Sequence, residues 1–369
     1  REGHRSAALA QYEACRRALA RELGVEPTDE TTTLYLRIRR GDTLPTSEPP
    51  SPPIPSTALV GRDTELTDLT EILADPHSRL VTLVGPGGIG KTHLARQVAE
   101  EHRGTYRDGV VFVALGTLDS TASDAEVGTA VAEALGLAPV ASLDPWSVIL
   151  DALRHREMLL ILDNLEHLLP NAPRPIDEDD SEGLIGRLSA LLRHARDTVV
   201  LATSRERLRL SEERVYNLDG LPLPVTATVP EPERYGAIAL FAQRAQQIER
   251  RFAITAATLP DILRICALVE GVPLGIELAA ATLSEHVGSA LACAELAAAL
   301  GTTLDALTTP LHNVTPRHRS LRAAFEHSWA LLTPHEQQHL AALSVFAGGF
   351  DAAAARAIAG HNPVDGTAP

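Results

Sequence analysis

One octapeptide, Gly85-Pro86-Gly87-Gly88-Ile89-Gly90-Lys91-Thr92, restricts the fold more than any other stretch of the chain. It follows the apolar run Leu80-Val81-Thr82-Leu83-Val84, which reads as a buried parallel strand, and precedes His93 to Glu100, which has helical spacing. Strand, glycine-rich loop and helix form the context that gives the G-x-x-x-x-G-K-[ST] pattern its chemistry. Glycines carry no Cβ, so successive backbone N–H groups can turn inward around phosphate oxygens. The helix N-terminus adds unpaired donors and partial positive charge. Gly85, Gly87, Gly88, Ile89 and Gly90 therefore cradle a phosphate, Lys91 reaches the β- and γ-phosphates of ATP or ADP, and Thr92 offers its hydroxyl to Mg²⁺. A glycine-rich turn without a ligand is the plainer alternative, and the full pattern with its flanks weighs against it.

The elements around this loop alternate. A helix opens near Arg62, and Gly109 to Leu115 read as a second strand. Helices follow over Asp124 to Leu135 and Trp146 to Arg154, leading into Met158-Leu159-Leu160-Ile161-Leu162-Asp163. An apolar strand ending in a carboxylate places Asp163 beside the Mg²⁺ site. A helix over Gly183 to Arg196 precedes Thr198 to Ser204, a strand ending in Arg205. In an open parallel sheet the carboxyl ends of the strands face the ligand crevice, so Arg205 is set to sense the γ-phosphate. Lys91, Asp163 and Arg205 are the candidate catalytic groups. The expected fold class is α/β, a P-loop NTPase parallel sheet with helices on both faces. The acidic, proline-containing stretch 170–182 reads as a surface loop.

Outside this layer the chain changes character. Residues 1–41 read as two helices of a helical-repeat unit, with Tyr12, Cys15 and Leu19 on the apolar side of the first. Prolines at 45, 49, 50, 52, 53 and 55 make 42–57 an extended spacer. The nucleotide-binding domain is assigned 58–219. Beyond Leu221-Pro222-Leu223-Pro224 only helices are expected: 220–300 as a helical domain, then 301–369 as a further helical unit. Beginning at Arg1 within a helical pattern, the chain reads as part of a longer one.

Composition narrows the partners. The 369 residues carry a formal charge of −15, which argues against a broad phosphate-gripping surface. DNA contact is thus expected through a part outside this chain. No apolar run reaches the ~20 residues of a membrane span, and the expected location is cytoplasmic. Three single cysteines suit reduced core thiols better than a disulfide framework. His335-Glu336-Gln337-Gln338-His339 fits the H-E-x-x-H zinc pattern, but Thr333-Pro334-His335-Glu336 reads as a helix start. Glu336 would then fold back on the Thr333 cap, and no third ligand follows.

Val60-Gly61-Arg62-x-x-Glu65, the phosphate loop, Leu162-Asp163-Asn164, Thr203-Ser204-Arg205 and Gly271-Val272-Pro273-Leu274 occur in that order. Together they resemble the NB-ARC module of signal-transduction ATPases with numerous domains (STAND). Arg21 to Pro27 and Tyr35 to Asp42 are similar to the end of the bacterial transcriptional activator domain. The combination resembles a large SARP-class bacterial transcriptional regulator. That resemblance implies that Gly61 and Arg62 contact the base and ribose side, and that Pro273 of the ARC1-like helical domain packs on the adenine. It makes residues 301–369 a winged-helix (ARC2-like) domain that closes over ADP, truncated before its methionine-histidine-aspartate motif. It also implies a molecular switch, closed with ADP and open and self-associating with ATP. Asn164 departs from the family, which often has an acidic residue there; an amide is a poor general base, so at most slow ATP hydrolysis is expected. The alternative is an ATP-hydrolysing enzyme such as a small-molecule kinase or a motor ATPase.

Overall fold

The computed structural model describes residues 59–138, 143–169, 183–224, 230–283, 290–303, 319–330, 332–346 and 351–359, together with Leu307 and scattered positions before residue 36. The acidic stretch 170–182 lies outside the described residues, as does the whole proline-rich spacer, 42–57. Two compact units divide the chain, Arg1–Ser51 and Pro52–Pro369. In the first, the described residues are mainly helical, and Tyr12 stacks on Tyr35 with ring centroids 4.0 Å apart. Cys15 departs from expectation, because it lies in an exposed run rather than on the covered face; Cys266 and Cys293 are buried thiols.

The second unit is built on five parallel strands: β1 (Leu80–Val84), β2 (Val110–Ala114), β3 (Met158–Asp163), β4 (Thr198–Ser204) and β5 (Glu213–Asn217). Their order is β2-β3-β4-β1-β5, so β4 lies between the strand that feeds the phosphate loop and the strand that ends in Asp163. Alternation along buried strands sends neighbouring side chains to opposite faces. Val81, Leu83, Leu159, Ile161 and Leu201 meet α1 (Asp63–Ala74) and α2 (Lys91–Glu101) through Leu69, Leu73, Leu94 and Val98. Leu160, Leu162, Val111 and Val200 meet α3 (Asp124–Ala134), α4 (Pro145–Leu153) and α5 (Gly183–His194) through Val131, Ile149 and Leu188. Each fully buried Leu or Val contributes roughly 1.5–3 kcal/mol. Both faces are thus covered, as the doubly wound reading required. The fifth strand was not anticipated: Glu-Arg-Val-Tyr-Asn carries too much charge to read as a core strand, and it runs along the exposed edge beside β1.

After the sheet come α6 (Gly236–Ile248), α7 (Leu259–Leu268), α8 (Pro273–Thr282) and α9 (Ala290–Leu300), packed on Phe241, Ile262, Ile265, Ile276 and Leu278. Ile248, one helical turn beyond buried Ala245, is exposed at the helix end. This helical unit lies flush against the nucleotide-binding layer at Gly61, and its own entry segment packs equally closely at Gly271. A Cβ on Gly61 would collide with the backbone of Gly236, and one on Gly271 with the backbone of Leu221. Both Gly61 and Gly271 have positive φ, at 66° and 68°, so an L side chain is excluded by conformation as well as by space. From residue 301 onward the described helices are α10 (Leu321–Ala330), α11 (Pro334–Leu343) and α12 (Ala352–Ala359).

Candidate nucleotide site

Parallel pairing sets the register, and the register sets the site. Ala114 stands beside Asp163, Leu83 beside Thr203, and Val84 beside Ser204. The carboxyl edge therefore lines up Asp163, Thr203 and Ser204 next to the point where β1 turns into the phosphate loop. Gly88 and Gly90 take the left-handed region at φ 80° and 99°, which lets the loop fold over the first turn of α2. Gly90 is the N-cap of α2 and offers no side chain, so the helix N-terminus is left open for an anion.

Lys91 is buried and bends back onto its own loop. Its Nζ donates to the carbonyl oxygens of Gly85 at 2.6 Å and Pro86 at 3.1 Å. Thr92 Oγ1 donates to the Asp163 carboxylate, 2.8 Å from Oδ1 and 3.1 Å from Oδ2, and Thr203 Oγ1 donates to Oδ1 at 2.7 Å. Burial pushes the Asp163 carboxyl above its ordinary value, and the hydroxyls of Thr203 and Thr92 pull it part of the way back. A buried carboxylate satisfied only by hydroxyls beside an open helix N-terminus fits a Mg²⁺-nucleotide pair.

The other expected residues converge on the same loop. Pro273 Cγ lies 3.9 Å from where a Cβ on Gly90 would be, and Leu274 Cβ lies 2.7 Å from the corresponding point on Gly88. The Leu274 N–H donates to the Gly88 carbonyl at 3.2 Å. The start of α8 is thereby seated on the phosphate loop. Arg62 is buried and tied down: its guanidinium pairs with Glu65 and donates to the carbonyls of Ile89 at 3.2 Å and Asp219 at 2.7 Å. It thus clasps the phosphate loop to the segment after β5, and Gly61 is pressed against Gly236 at the start of α6.

Arg205 is at the centre of the arrangement. One terminal nitrogen, Nη2, comes within 3.3 Å of the position a Cβ on Gly87 would take. Its Nε donates to Glu166 Oε1 at 3.0 Å, and its Nη1 donates to Ser328 Oγ on α10. A single guanidinium therefore touches the phosphate loop, the turn after β3 and the C-terminal helices. Neither Glu166 nor Ser328 was expected from the sequence. Glu166 follows Asp163 by three residues and gave a usable signal only as a second acid near the strand end; Ser328 gave none.

The zinc pattern is resolved by capping. Thr333 accepts from the Glu336 N–H, and the Glu336 carboxylate accepts from the Thr333 N–H at 2.8 Å, a complete capping box. His335 and His339 contact each other edge to face, and no metal-holding group of three is found among the described residues. Among those residues, no helix is long and apolar enough to cross a membrane.

Residues 58–208 match the AAA ATPase domain, and residues 1–39 match the bacterial transcriptional activator domain. An uncharacterised protein of Mycobacterium tuberculosis is 33% identical over 312 residues, covering 83% of this chain and 70% of its own length. A putative HTH-type transcriptional regulator of the same organism is 34% identical over 78% of this chain. The regulatory protein AfsR of Streptomyces griseus is 34% identical over 47% of it. The chain spans 29% of the length of that HTH-type regulator and 20% of AfsR. The fold and the loop define a nucleotide-binding P-loop ATPase. More narrowly, the chain joins a bacterial transcriptional activator domain to an AAA ATPase domain, and it belongs to one family with the mycobacterial protein that it matches over 70% of that protein's length.

Proposed function

We propose that the ATPase domain works as a STAND-type molecular switch, closed around ADP and opened by ATP, which sets the activity of the regulator. The observation that carries this reading is the double seating on the phosphate loop. Pro273 and Leu274 rest on Gly88 and Gly90, while Arg205, beside Gly87, holds Ser328 of α10. Both downstream units thus report on what the loop contains.

A nucleotide can move this equilibrium only through different affinities for the two arrangements. The γ-phosphate supplies the difference, because it competes with Ser328 for the Arg205 guanidinium. A hydrogen bond to a charged group is worth about 1.5–3 kcal/mol, which corresponds to a shift of roughly ten- to a hundredfold. Lys91 would leave the Gly85 and Pro86 carbonyls for the phosphates. Thr92 and Asp163 would hold Mg²⁺, which neutralises phosphate charge there. Gly61, Arg62 and Pro273 line the side where the base and ribose would lie.

Opening exposes the faces of α8 and α10 now turned to the loop, and these offer a surface for self-association in the ATP state. DNA would be contacted by a domain elsewhere in the full regulator. Lys91→Ala is the direct test: it should abolish ADP and ATP binding in a thermal-shift titration and any ATP-dependent increase in mass. Wild-type affinity in that variant would sink the proposal.

A further inference from the structure

The turn after β3 contains a carboxylate that the switch reading leaves unused. Asn164, at the position where the chemistry would favour an acid, is occupied with shaping that turn. It sits at φ 69°, a left-handed conformation that asparagine tolerates better than most residues. Its N–H donates to Thr203 Oγ1 at 2.8 Å, and its amide meets His167 Nδ1 at 3.1 Å. The reversal brings Glu166 back towards the sheet edge. Its side chain is 5% exposed and paired through Oε1 with Arg205, the residue that also reaches Gly87. Its other oxygen, Oε2, is buried without a hydrogen-bond partner among the described residues, and so is His167 Nε2 next along the chain.

A buried carboxylate oxygen left bare is unfavourable unless a ligand or water completes it. Glu166 also lies close enough to Asp163 for the two carboxylates to repel each other. Mg²⁺ beside Asp163 and an attacking water at Oε2 would relieve both problems.

We infer that Glu166 is the general base for ATP hydrolysis in this site, the role that Asn164 cannot fill. The inference rests on ATP binding in the cradle as proposed above. Glu166 Oε2 takes a proton from water as the water oxygen bonds to the γ-phosphorus. The bond from that phosphorus to the β–γ bridging oxygen breaks, and its electron pair leaves with ADP. The proton then passes from Glu166 to the released phosphate or to solvent. Arg205 holds Oε1, fixing the carboxylate and leaving Oε2 to the water. Hydrolysis thereby resets the switch to its ADP form.

The test uses the whole chain with Glu166→Gln, whose amide oxygen still accepts from Arg205, and with Asn164→Asp. Three quantities are read: ATP affinity, phosphate release in a single turnover, and the nucleotide freed when the purified protein is denatured. Glu166→Gln should bind ATP within about threefold of wild type, release phosphate ~100-fold or more slowly, and carry ATP where wild type carries ADP. Asn164→Asp, which puts a carboxylate at the position next to Asp163, should not raise the rate. Should the glutamine variant fold poorly, Glu166→Asp keeps the charge but draws it back by one methylene, and a fall of at least ~10-fold in rate is expected. Wild-type turnover in the glutamine variant overturns the inference, as does loss of its ATP binding while wild type binds. Failure of the wild type itself to bind ATP is a different result, and it removes the switch reading first.

Discussion

Replacing Arg205 with methionine leaves the buried Glu166 carboxylate without its ion-pair partner. Breaking a buried pair from one side costs about 3–5 kcal/mol, because the surviving charge is left uncompensated. The guanidinium side chain is 17% exposed and that of Glu166 5%, so some solvent reaches one partner, and the lower end of that range, about 3 kcal/mol, applies. Glu166→Gln removes the charge and keeps an acceptor, for about 1 kcal/mol. With the charge gone, adding Arg205→Met should cost about 1 kcal/mol more, for the hydrogen bonds that the guanidinium still makes. The pair should therefore show a coupling of ~2 kcal/mol in a double-mutant cycle. Urea denaturation of the nucleotide-free protein is the assay. Trp329→Phe provides the background, so that buried Trp146 on α4 reports the sheet alone. Simple additivity of the two substitutions, or a cost below ~1 kcal/mol for Arg205→Met, would refute the reasoning.

Other outcomes follow from the same contacts. Asp163→Asn should stabilise the nucleotide-free protein at neutral pH and abolish the Mg²⁺-dependent part of nucleotide stabilisation, which is ~2.7 kcal/mol at a hundredfold excess over Kd. The sign follows from burial: the folded carboxyl keeps its proton to higher pH than the ordinary 3.8. Wild type thus loses stability as pH rises from that value through the folded one, and the asparagine variant should lack this slope in a pH series of melting curves. Asn164→Ala should cost about 1–2 kcal/mol in denaturant titration, the strain of a left-handed residue with an ordinary Cβ. Gly88→Ala combines φ 80° with a Cβ set 2.7 Å from that of Leu274, so calorimetric nucleotide affinity should fall at least ~10-fold as α8 is lifted off the loop.

The phosphate loop, the Asp163 strand and the alternation of strands and helices were legible because each is local. A glycine pattern, an apolar run and a helical period are each contained within about fifteen residues. The edge strand β5 was not, since Glu213 and Arg214 belong there only because β1 offers it a hydrogen-bonding edge. Glu166 was hidden for a related reason. Its chemistry depends on the left-handed turn at Asn164 and on Arg205, thirty-nine residues away in sequence. Ser328 is further still, 123 residues from the guanidinium it meets. The capping box at Thr333, by contrast, was read correctly because all its atoms lie within four residues.

The coupling between nucleotide and domain arrangement can be measured directly. Spin labels at exposed His155, beyond α4, and at exposed Glu326 on α10, in a background without native cysteines, report the distance between the sheet layer and the C-terminal helices. With Mg²⁺ and ADP a single short distance is expected. With a non-hydrolysable ATP analogue the distribution should broaden and move to longer distance as Arg205 releases Ser328. Identical distributions in the two nucleotides, at saturating concentrations of each, would contradict the switch.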